Sequence, residues 1–295
     1  MITKILAPVD GCEQSEAVIP HVAELCNRTG SPAVLLHVFP PSLHEQRAIH
    51  EQYVAQLAGR LRQYLARDSI GVESIVLEGK PNREIADFAA RPDIGLVAAA
   101  PHSQTSSGHW TVGRTADKVI RETYKPVLLT RNAAAAGGTQ EGILTRVLVP
   151  LDGSRASRAV LPYVEDLMNP IWQSGEAKLT LAHVVPATHY AAGPLIARRV
   201  PYELAEMDEL KQEARRYLEE VAAKLRDEGR TVETIVAEGD AATEILETAK
   251  AVDANLIAMT THGFSGFSRL FLGSVTDRIL HNAPVSLLLV KPIHY

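Results

Sequence analysis

The chain repeats itself at an interval of about 150 residues, and this repeat constrains its fold more than any other feature. The segment ILAPVDGCEQSEAVIPHVAEL (5–25) aligns without a gap with VLVPLDGSRASRAVLPYVEDL (147–167). The offset between the copies grows from 142 to 160, which indicates insertions in the second copy before residue 180 and near 187–202. Two further pairs of segments align, namely 33–40 with 179–186 and 72–89 with 232–249. Because 295 residues are also long for a single hydrophobic core, we predict two copies of one fold.

Each copy alternates apolar, strand-like runs with helix-like segments. The first strands are predicted at 2–9 and 145–151, and each is followed by an Asp-Gly pair. The segment 203–228 has apolar residues at helical spacing and predicts a long amphipathic helix. Strands that alternate with helices imply right-handed crossovers and a parallel sheet that is covered on both faces. The sequence therefore predicts an α/β fold with two tandem, doubly wound, Rossmann-like domains. Each would have a five-stranded parallel sheet, and pseudo-two-fold symmetry would relate them.

The repeat also predicts where the domains begin and end. We expect the first domain at 1–131, a linker at 132–142 with the small and polar sequence NAAAAGGTQEG, and the second domain at 143–295. The fifth strands, predicted at 126–131 and 285–291, are apolar and would be exposed sheet edges if each domain stood alone. We therefore expect the two domains to dock through these strands within one chain. Further association into a homodimer stays open.

Composition and charge exclude several classes of function. The net charge is −5 and the isoelectric point is near 6.1, so we expect no nucleic-acid partner. No apolar run approaches the ~18 residues of a membrane span, and the N-terminal stretch has no secretory signal. We therefore expect a cytoplasmic protein without a membrane partner. Cys12 and Cys26 are too few for a disulfide framework or a CxxC metal site, and no metal-ligand set is predicted.

The most informative loop is AMTTHGFSGFSRLFLGSVTD (258–277) in the second copy. It contains Gly263, Gly266 and Gly273, with several hydroxyl side chains and no Asp or Glu before residue 277. Glycines let backbone N–H groups approach a phosphate, and the first amides of the following helix, which Ser274 could cap, favour negative charge. Tight turns use the same residues, so the loop alone predicts either an anion site or a turn. The carboxyl ends of parallel strands would bring three further segments to this edge, namely 150–154, 184–186 and the turn after Glu238-Gly239.

These motifs resemble the universal stress protein family, and the resemblance covers nearly all of both copies. The ATP-binding branch of that family has a G-x2-G-x9-G-[ST] loop after its fourth strand. Thr260-x2-Gly263-x9-Gly273-Ser274 matches that loop, apart from Thr260 in place of the first glycine. The resemblance implies two tandem domains of the universal stress protein fold, which is of the HUP type. It also implies bound ATP, or AMP or ADP, with Mg²⁺ left open. The residues that it implies around the nucleotide are Pro150, Leu151, Asp152, Val184, Met259, Thr260, His262, Gly263, Gly266, Gly273, Ser274, Val275 and Thr276.

The corresponding loop of the first copy, AAAPHSQTSSGHWTVGRTAD (98–117), has lost most of these features. Aligned with the family motif it reads Ala100-x2-Ser103-x9-Gly113-Arg114. Ser103 restricts the backbone, and Arg114 stands where phosphate-binding amides should be open. We therefore expect the nucleotide mainly in the second domain and a weak or empty site in the first. Two alternatives remain for Arg114, which could reach an anion directly or fill the vacated pocket.

Other polar residues have structural interpretations beside functional ones. We expect Asp152 to contact the ligand and Asp10 to shape its turn. We interpret His37 and His183 as buried histidines held by backbone hydrogen bonds. Cys12 is interpreted as a small buried residue rather than a reactive thiol.

Three functions remain compatible with the sequence. The first is a stress-response regulator that binds an adenine nucleotide with little or no catalysis. The second is an enzyme such as a slow ATPase. Against it, the chain has no GxxxxGK[ST] lysine and no Walker-type acidic partner, and its first strands lead into VDGC and LDGS rather than the SGG-x-DS loop of adenylating ATP pyrophosphatases. The third is a structural protein that binds partners with both sites silent. We predict binding and regulation, and we name no catalytic residue.

Overall fold

A computed structural model describes residues 2–101, 103–104, 110–131, 142–172, 175, 177–191, 198–262 and 272–292. The predicted linker lies outside these residues except for Gly142, and so do Gly263 and Gly266 of the predicted site. In the part of the chain that the structure describes, no helix is both long enough and apolar enough to cross a membrane.

The first half alternates strands and helices in the order that the sequence predicts, apart from a short antiparallel pair of strands in the loop after the fourth strand, where we predicted none. In chain order its elements are β1 (Ile5–Val9), α1 (Glu13–Glu16), α2 (Ile19–Thr29), β2 (Ala33–Phe39), a 3-10 helix (Pro41–Gln46), α3 (Arg47–Tyr64), β3 (Val72–Glu78), α4 (Pro81–Ala89), β4 (Leu96–Ala99), β5 (Ser103–Gln104), β6 (Trp110–Thr111), α5 (Arg114–Glu122) and β7 (Val127–Leu129).

The second half repeats this order and adds a ribbon. Its elements are β8 (Arg146–Pro150), a 3-10 helix (Ser157–Val160), α6 (Leu161–Trp172), β9 (Lys178–Val185), β10 (Thr188–Ala191), β11 (Arg198–Pro201), α7 (Leu204–Asp227), β12 (Val232–Glu238), α8 (Ala241–Ala251), β13 (Leu256–Thr260), α9 (Ser274–Asn282) and β14 (Ser286–Val290). The helix predicted at 203–228 is observed as α7. The antiparallel pair β10–β11 falls in the insertion near 187–202, where we predicted no strands.

Ten of the strands form one sheet in the order β12-β9-β8-β13-β14-β7-β4-β1-β2-β3. Within each half the five neighbouring strands are parallel, which confirms the predicted α/β fold. The halves meet where β7 and β14 pair antiparallel, with Leu128 opposite Leu288. The fifth strands thus dock within one chain, and the two five-stranded sheets become a single sheet.

Helices cover both faces of this sheet. Residues of α2, α3, α6 and α7 pack on one face, and residues of α4, α5, α8 and α9 pack on the other. Along β4, Leu96 and Ala98 belong to the first layer and Val97 to the second, because alternate side chains of a strand point to opposite faces. The strand must therefore be apolar throughout, as the sequence shows.

A basic residue from each half crosses the junction and contacts the last helix of the other half. Arg131, just after β7, donates a hydrogen bond from its guanidinium to the carbonyl oxygen of Leu280 in α9. Lys291, at the equivalent position after β14, donates from Nζ to the carbonyl oxygen of Arg121 in α5 at 2.7 Å. Burial lowers the pKa of both cations, whereas carbonyls at a helix C-terminus favour positive charge. The two contacts repeat the pseudo-two-fold relation of the halves.

Candidate functional site

The strand order reverses beside β8 in the second half. β9 and β12 follow β8 on one side, whereas β13 and β14 lie on its other side. In open parallel sheets a crevice forms outside the carboxyl ends of the strands at such a switch point, and ligands bind there. The carboxyl ends of β8 and β13 are Pro150 and Thr260, so these two residues define the candidate site.

A cavity of about 260 Å³ lies at this position. Its walls come from the ends of β8, β9 and β13 and from the first turns of α8 and α9. Most residues that the family resemblance implied line it, namely Pro150, Leu151, Asp152, Val184, Met259, Thr260, Gly273, Ser274, Val275 and Thr276. His262 is not in the lining, and its Nδ1 lies 3.0 Å from the hydroxyl of Thr261. Gly263 and Gly266 lie outside the described residues.

Four further residues line the cavity that the sequence did not single out, namely Ser157, Ala182, Ala241 and Ile245. Sequence features pointed to two of these four residues. Ala241 begins α8 directly after the turn that follows Glu238-Gly239, which was expected at this edge. Ser157 repeats Ser15 of the first copy. The sequence did not identify Ile245 as a lining residue, because an apolar residue at this spacing in a helix is typical of the hydrophobic core.

The N-terminus of α9 forms one wall of the cavity. Gly273 is the N-cap residue, and no side chain caps this helix end among the described residues. We expected Ser274 as the cap, but it is the first residue of the helix, so its exposed hydroxyl is one position too late to take that role. The first amides of a helix have no partner within the helix and carry a partial positive charge. This wall can therefore bind an anion.

Gly273 itself is held by two backbone hydrogen bonds. Its N–H donates to the carbonyl oxygen of Thr261 at 2.9 Å, and its own carbonyl accepts from the N–H of Asp277 at 2.8 Å. A Cβ atom at this position would lie 3.4 Å from the Thr261 oxygen, which is an ordinary contact. Its φ of −60° is open to any residue. The fold therefore does not require glycine here.

Two buried threonine hydroxyls tie β13 to the loop and to α9. Thr260 donates from Oγ1 to the carbonyl oxygen of His262 at 2.8 Å. Thr276 donates from Oγ1 to the carbonyl oxygen of Thr260 at 3.2 Å. Each hydroxyl proton is thus used within the protein, so toward a ligand these oxygens can only accept. Thr260, which stands in place of the family glycine, hydrogen-bonds to the loop and offers no proton to a phosphate.

The Asp-Gly turns after the first strand are built alike in the two halves. The carboxylate of Asp152 accepts from the N–H of Ser154 at 2.9 Å, and that of Asp10 accepts from the N–H of Cys12 at 3.1 Å. Gly153 and Gly11 have φ values of 85° and 91°, in the region that favours glycine. Both aspartates therefore shape their turns, and Asp152 in addition lines the larger cavity with an exposed side chain.

The histidines at the ends of β2 and β9 are not exposed acid–base groups. Nδ1 of His37 lies 2.9 Å from the carbonyl oxygen of Val9, and its Nε2 lies 3.0 Å from Nδ1 of His50. His183 packs edge-on against the ring of Tyr217, with 6.2 Å between the centroids. Burial lowers the pKa of both His37 and His183. Among the described side chains, no group of three or more His, Cys, Asp or Glu could hold a metal ion.

The first half has a smaller cavity, of about 170 Å³, at the equivalent switch point between β1 and β4. Arg114, the first residue of α5, is exposed and does not line this cavity. The alternative in which Arg114 fills the vacated pocket is therefore wrong.

Sequence comparisons place both halves in one family. The profile of the Universal stress protein family matches residues 1–131 and again residues 144–291. A universal stress protein of Methanocaldococcus jannaschii is 29% identical over 151 residues, which cover 51% of this chain and 84% of the relative. Universal stress protein YxiE of Bacillus subtilis is 30% identical over 155 residues, which cover 50% of this chain and 100% of the relative. About half of this chain thus corresponds to nearly all of each relative.

Solved structures share the fold over the whole chain. A universal stress protein from Archaeoglobus fulgidus DSM 4304 has a TM-score of 0.74 at 19% identity, and the match covers 98% of both chains. A functionally unknown protein from Pseudomonas aeruginosa PAO1 has a TM-score of 0.69 at 18% identity, covering 99% of this chain and 93% of the other. With the family profile matching each half in turn, the chain belongs to the universal stress protein family as a tandem member.

Proposed function

We propose that this protein is a stress-response regulator that binds one adenine nucleotide, ATP or AMP, in the cavity of its second half, with little or no catalysis. The observation that carries the proposal is the N-terminus of α9, which no side chain of the described residues caps and which forms one wall of a cavity with largely apolar other walls. Such a combination suits a ligand with a flat apolar end and an anionic end.

The apolar part of the cavity suits the adenine base. Val184, Met259 and Ile245 come from two strand ends and from α8, and they offer van der Waals contact to a planar ring. Asp152, whose carboxylate is exposed at the edge of the same cavity, could accept hydrogen bonds from the ribose hydroxyls. Base and sugar would thus lie over the carboxyl ends of β8 and β13.

The phosphates would lie against the first turn of α9. The backbone N–H groups of residues 274–276 and the exposed hydroxyl of Ser274 are the donors available there. Gly273 has no conformational need to be glycine, and as glycine it leaves open the space beside these amides that a phosphate would occupy.

The position of the two ends of α9 supports a regulatory role. Its N-terminus would contact the phosphates, while the carbonyl of Leu280 near its other end accepts from Arg131 of the first half. A nucleotide would shift the protein between conformations to the extent that it binds them with different affinity. We place that shift in the position of α9 relative to the junction of the halves.

The experiment is release and titration of nucleotide. The purified full chain is denatured and its supernatant chromatographed, and the stripped, refolded protein is then titrated with ATP and with AMP by calorimetry. We expect a released adenine nucleotide and a stoichiometry near one per chain. Two equivalents per chain would refute the restriction to the second half, and no binding at millimolar concentrations would refute the proposal. Turnover of ATP at about 1 s⁻¹ or faster would favour an enzyme instead.

A further inference from the structure

The first turn of α9 carries a carboxylate close to the proposed phosphate site. The N–H of Asp277 donates to the carbonyl oxygen of Gly273, the N-cap residue, at 2.8 Å. The side chain of Asp277 is half-exposed and does not line the cavity. A carboxylate in the first turn interacts favourably with the positive end of the helix dipole, and an anionic ligand uses the same end. Asp277 would therefore oppose a phosphate bound at these amides unless its charge is compensated.

An arginine of the first half contacts this carboxylate. Nη2 of Arg121, in α5, lies 4.0 Å from Oδ1 of Asp277. The same Nη2 lies 2.9 Å from Oδ1 of Asp117, in the first turn of α5. The hydrogen bond to Asp117, with further attraction from both carboxylates, raises the pKa of the Arg121 guanidinium. One cation thus faces the acidic first turns of both helices.

At the equivalent position the second half has a histidine instead of this arginine. His281 aligns with Arg121, and its Nδ1 lies 2.8 Å from the backbone carbonyl oxygen of Asp277 rather than contacting the carboxylate. Arg278, the residue after Asp277, donates to the carboxylate of Asp240 in α8 at 2.7 Å. Among the described side chains, Arg121 is thus the cation that forms an ion pair with Asp277.

The backbone of Arg121 is held separately from its side chain. Lys291 of the second half donates from Nζ to the carbonyl oxygen of Arg121 at 2.7 Å. This contact does not involve the guanidinium. A substitution of the Arg121 side chain therefore removes the cation beside Asp277 and leaves the Lys291 contact in place.

We propose that Arg121 of the first half is a positioning residue for the nucleotide site of the second half and acts through Asp277. Its charge compensates the carboxylate and holds it toward α5, so that the phosphates meet the amides of α9 without an opposing anion. The first half thereby sets the affinity of the second-half site, whether or not it binds a ligand of its own. The inference rests on the proposed nucleotide function.

The test compares ATP with adenosine, which has no phosphate, by calorimetric titration of the full chain at low salt. We expect Arg121→Gln to weaken ATP binding about threefold and to leave the affinity for adenosine unchanged. Adding Asp277→Asn to this variant should restore the wild-type affinity for ATP, because the carboxylate that Arg121 compensated is then also absent. Arg83→Gln is the matched control. It removes an arginine of α4 that pairs with Asp87 at 3.7 Å, and it should change neither affinity.

Equal weakening of ATP and adenosine binding by Arg121→Gln would show a merely structural role and overturn the inference. Unchanged ATP affinity, a double variant that stays weak, or an equal loss in Arg83→Gln would overturn it as well. If Arg121→Gln does not fold by circular dichroism, Asp277→Asn alone decides, since it should tighten ATP binding at low salt and do so less as salt screens the charge. Wild type that binds neither ligand would refute the proposed function and this inference with it, whereas ATP binding that these substitutions do not alter would refute this inference alone.

Discussion

At position 273 the first turn of α9 begins with a glycine whose φ and ψ, −60° and 149°, any residue can adopt. Gly113, the N-cap of α5 in the first half, has almost the same values of −59° and 150°. The two glycines are therefore matched in conformation, and they differ in that Gly273 lines the proposed phosphate site. The same substitution at both positions therefore separates the effect of a larger N-cap residue on the helix from its effect on ligand affinity.

We expect Gly273→Val to weaken ATP binding at least tenfold, or about 1.4 kcal/mol, because the added side chain occupies space beside the helix amides. Calorimetric titration of the full chain measures the effect. Gly113→Val is the control and should leave ATP affinity within twofold of wild type. Equal loss in both variants, or in neither, would contradict the placement of the phosphates at α9.

At the scale of the element, the helices that follow the third strand differ in their caps. Asp240 caps α8, where its Oδ1 accepts from the N–H of Thr243 at 3.0 Å, and it also accepts from Arg278 of α9 at 2.7 Å. Lys80 occupies the equivalent position of α4, which no described side chain caps, and Lys118 replaces Arg278. The second half therefore fixes α8 to α9 through one carboxylate, and the first half does not.

We expect Asp240→Ala to lower the free energy of unfolding by about 1 kcal/mol and Lys80→Asp to raise it by a similar amount. The second change adds a side-chain acceptor beside the N–H of Arg83, which now donates to the backbone carbonyl of Lys80 at 3.0 Å, and a negative charge opposite Lys118. Urea unfolding at pH 7 measures both. A Lys80→Asp variant no more stable than wild type would contradict this account of the cap.

The contribution of Asp240 should depend on pH. The hydrogen bond from the N–H of Thr243, with further bonds from Thr243 and Arg278, lowers the pKa of this carboxyl in the folded protein. Its stabilisation is therefore present above the unfolded value of about 3.9 and is lost as pH falls through the lower folded value. The difference in stability between wild type and Asp240→Ala should be full at pH 7 and shrink below about pH 4. A difference that stays constant down to pH 2 would show that the ionised carboxylate is not responsible.

Some elements and site residues could be predicted from the sequence, and others could not. The helix at 203–228 was predictable because its apolar residues recur over many turns, and its observed bounds, Leu204–Asp227, agree. The strand ends around the cavity followed from parallel topology, so Pro150, Val184 and Met259 could be named together. Ile245 could not be named in this way, because its role depends on which face of α8 lies toward the crevice.

At the scale of the whole molecule, the pairing of β7 with β14 joins the sheets of the two halves into one. Leu128 and Leu288 lie opposite each other in this pair, and both are fully buried. Loss of either side chain would leave a cavity at the centre of the molecule, where each half supports the other.

We expect the full chain to unfold in a single transition, and Leu128→Ala and Leu288→Ala each to lower its free energy of unfolding by about 2–5 kcal/mol. Urea unfolding followed by circular dichroism measures this. A biphasic curve, in which a substitution shifts only the transition of its own half, would show that the halves fold independently.

The contacts that Arg131 and Lys291 make across the junction have a consequence for engineering this chain. Each half supplies the cation that meets the last helix of its neighbour, so a chimera with a half taken from another relative would need a donor at the matching position. A half that lacks such a donor should associate more weakly, because the carbonyl at the end of the neighbouring helix would lose its cation.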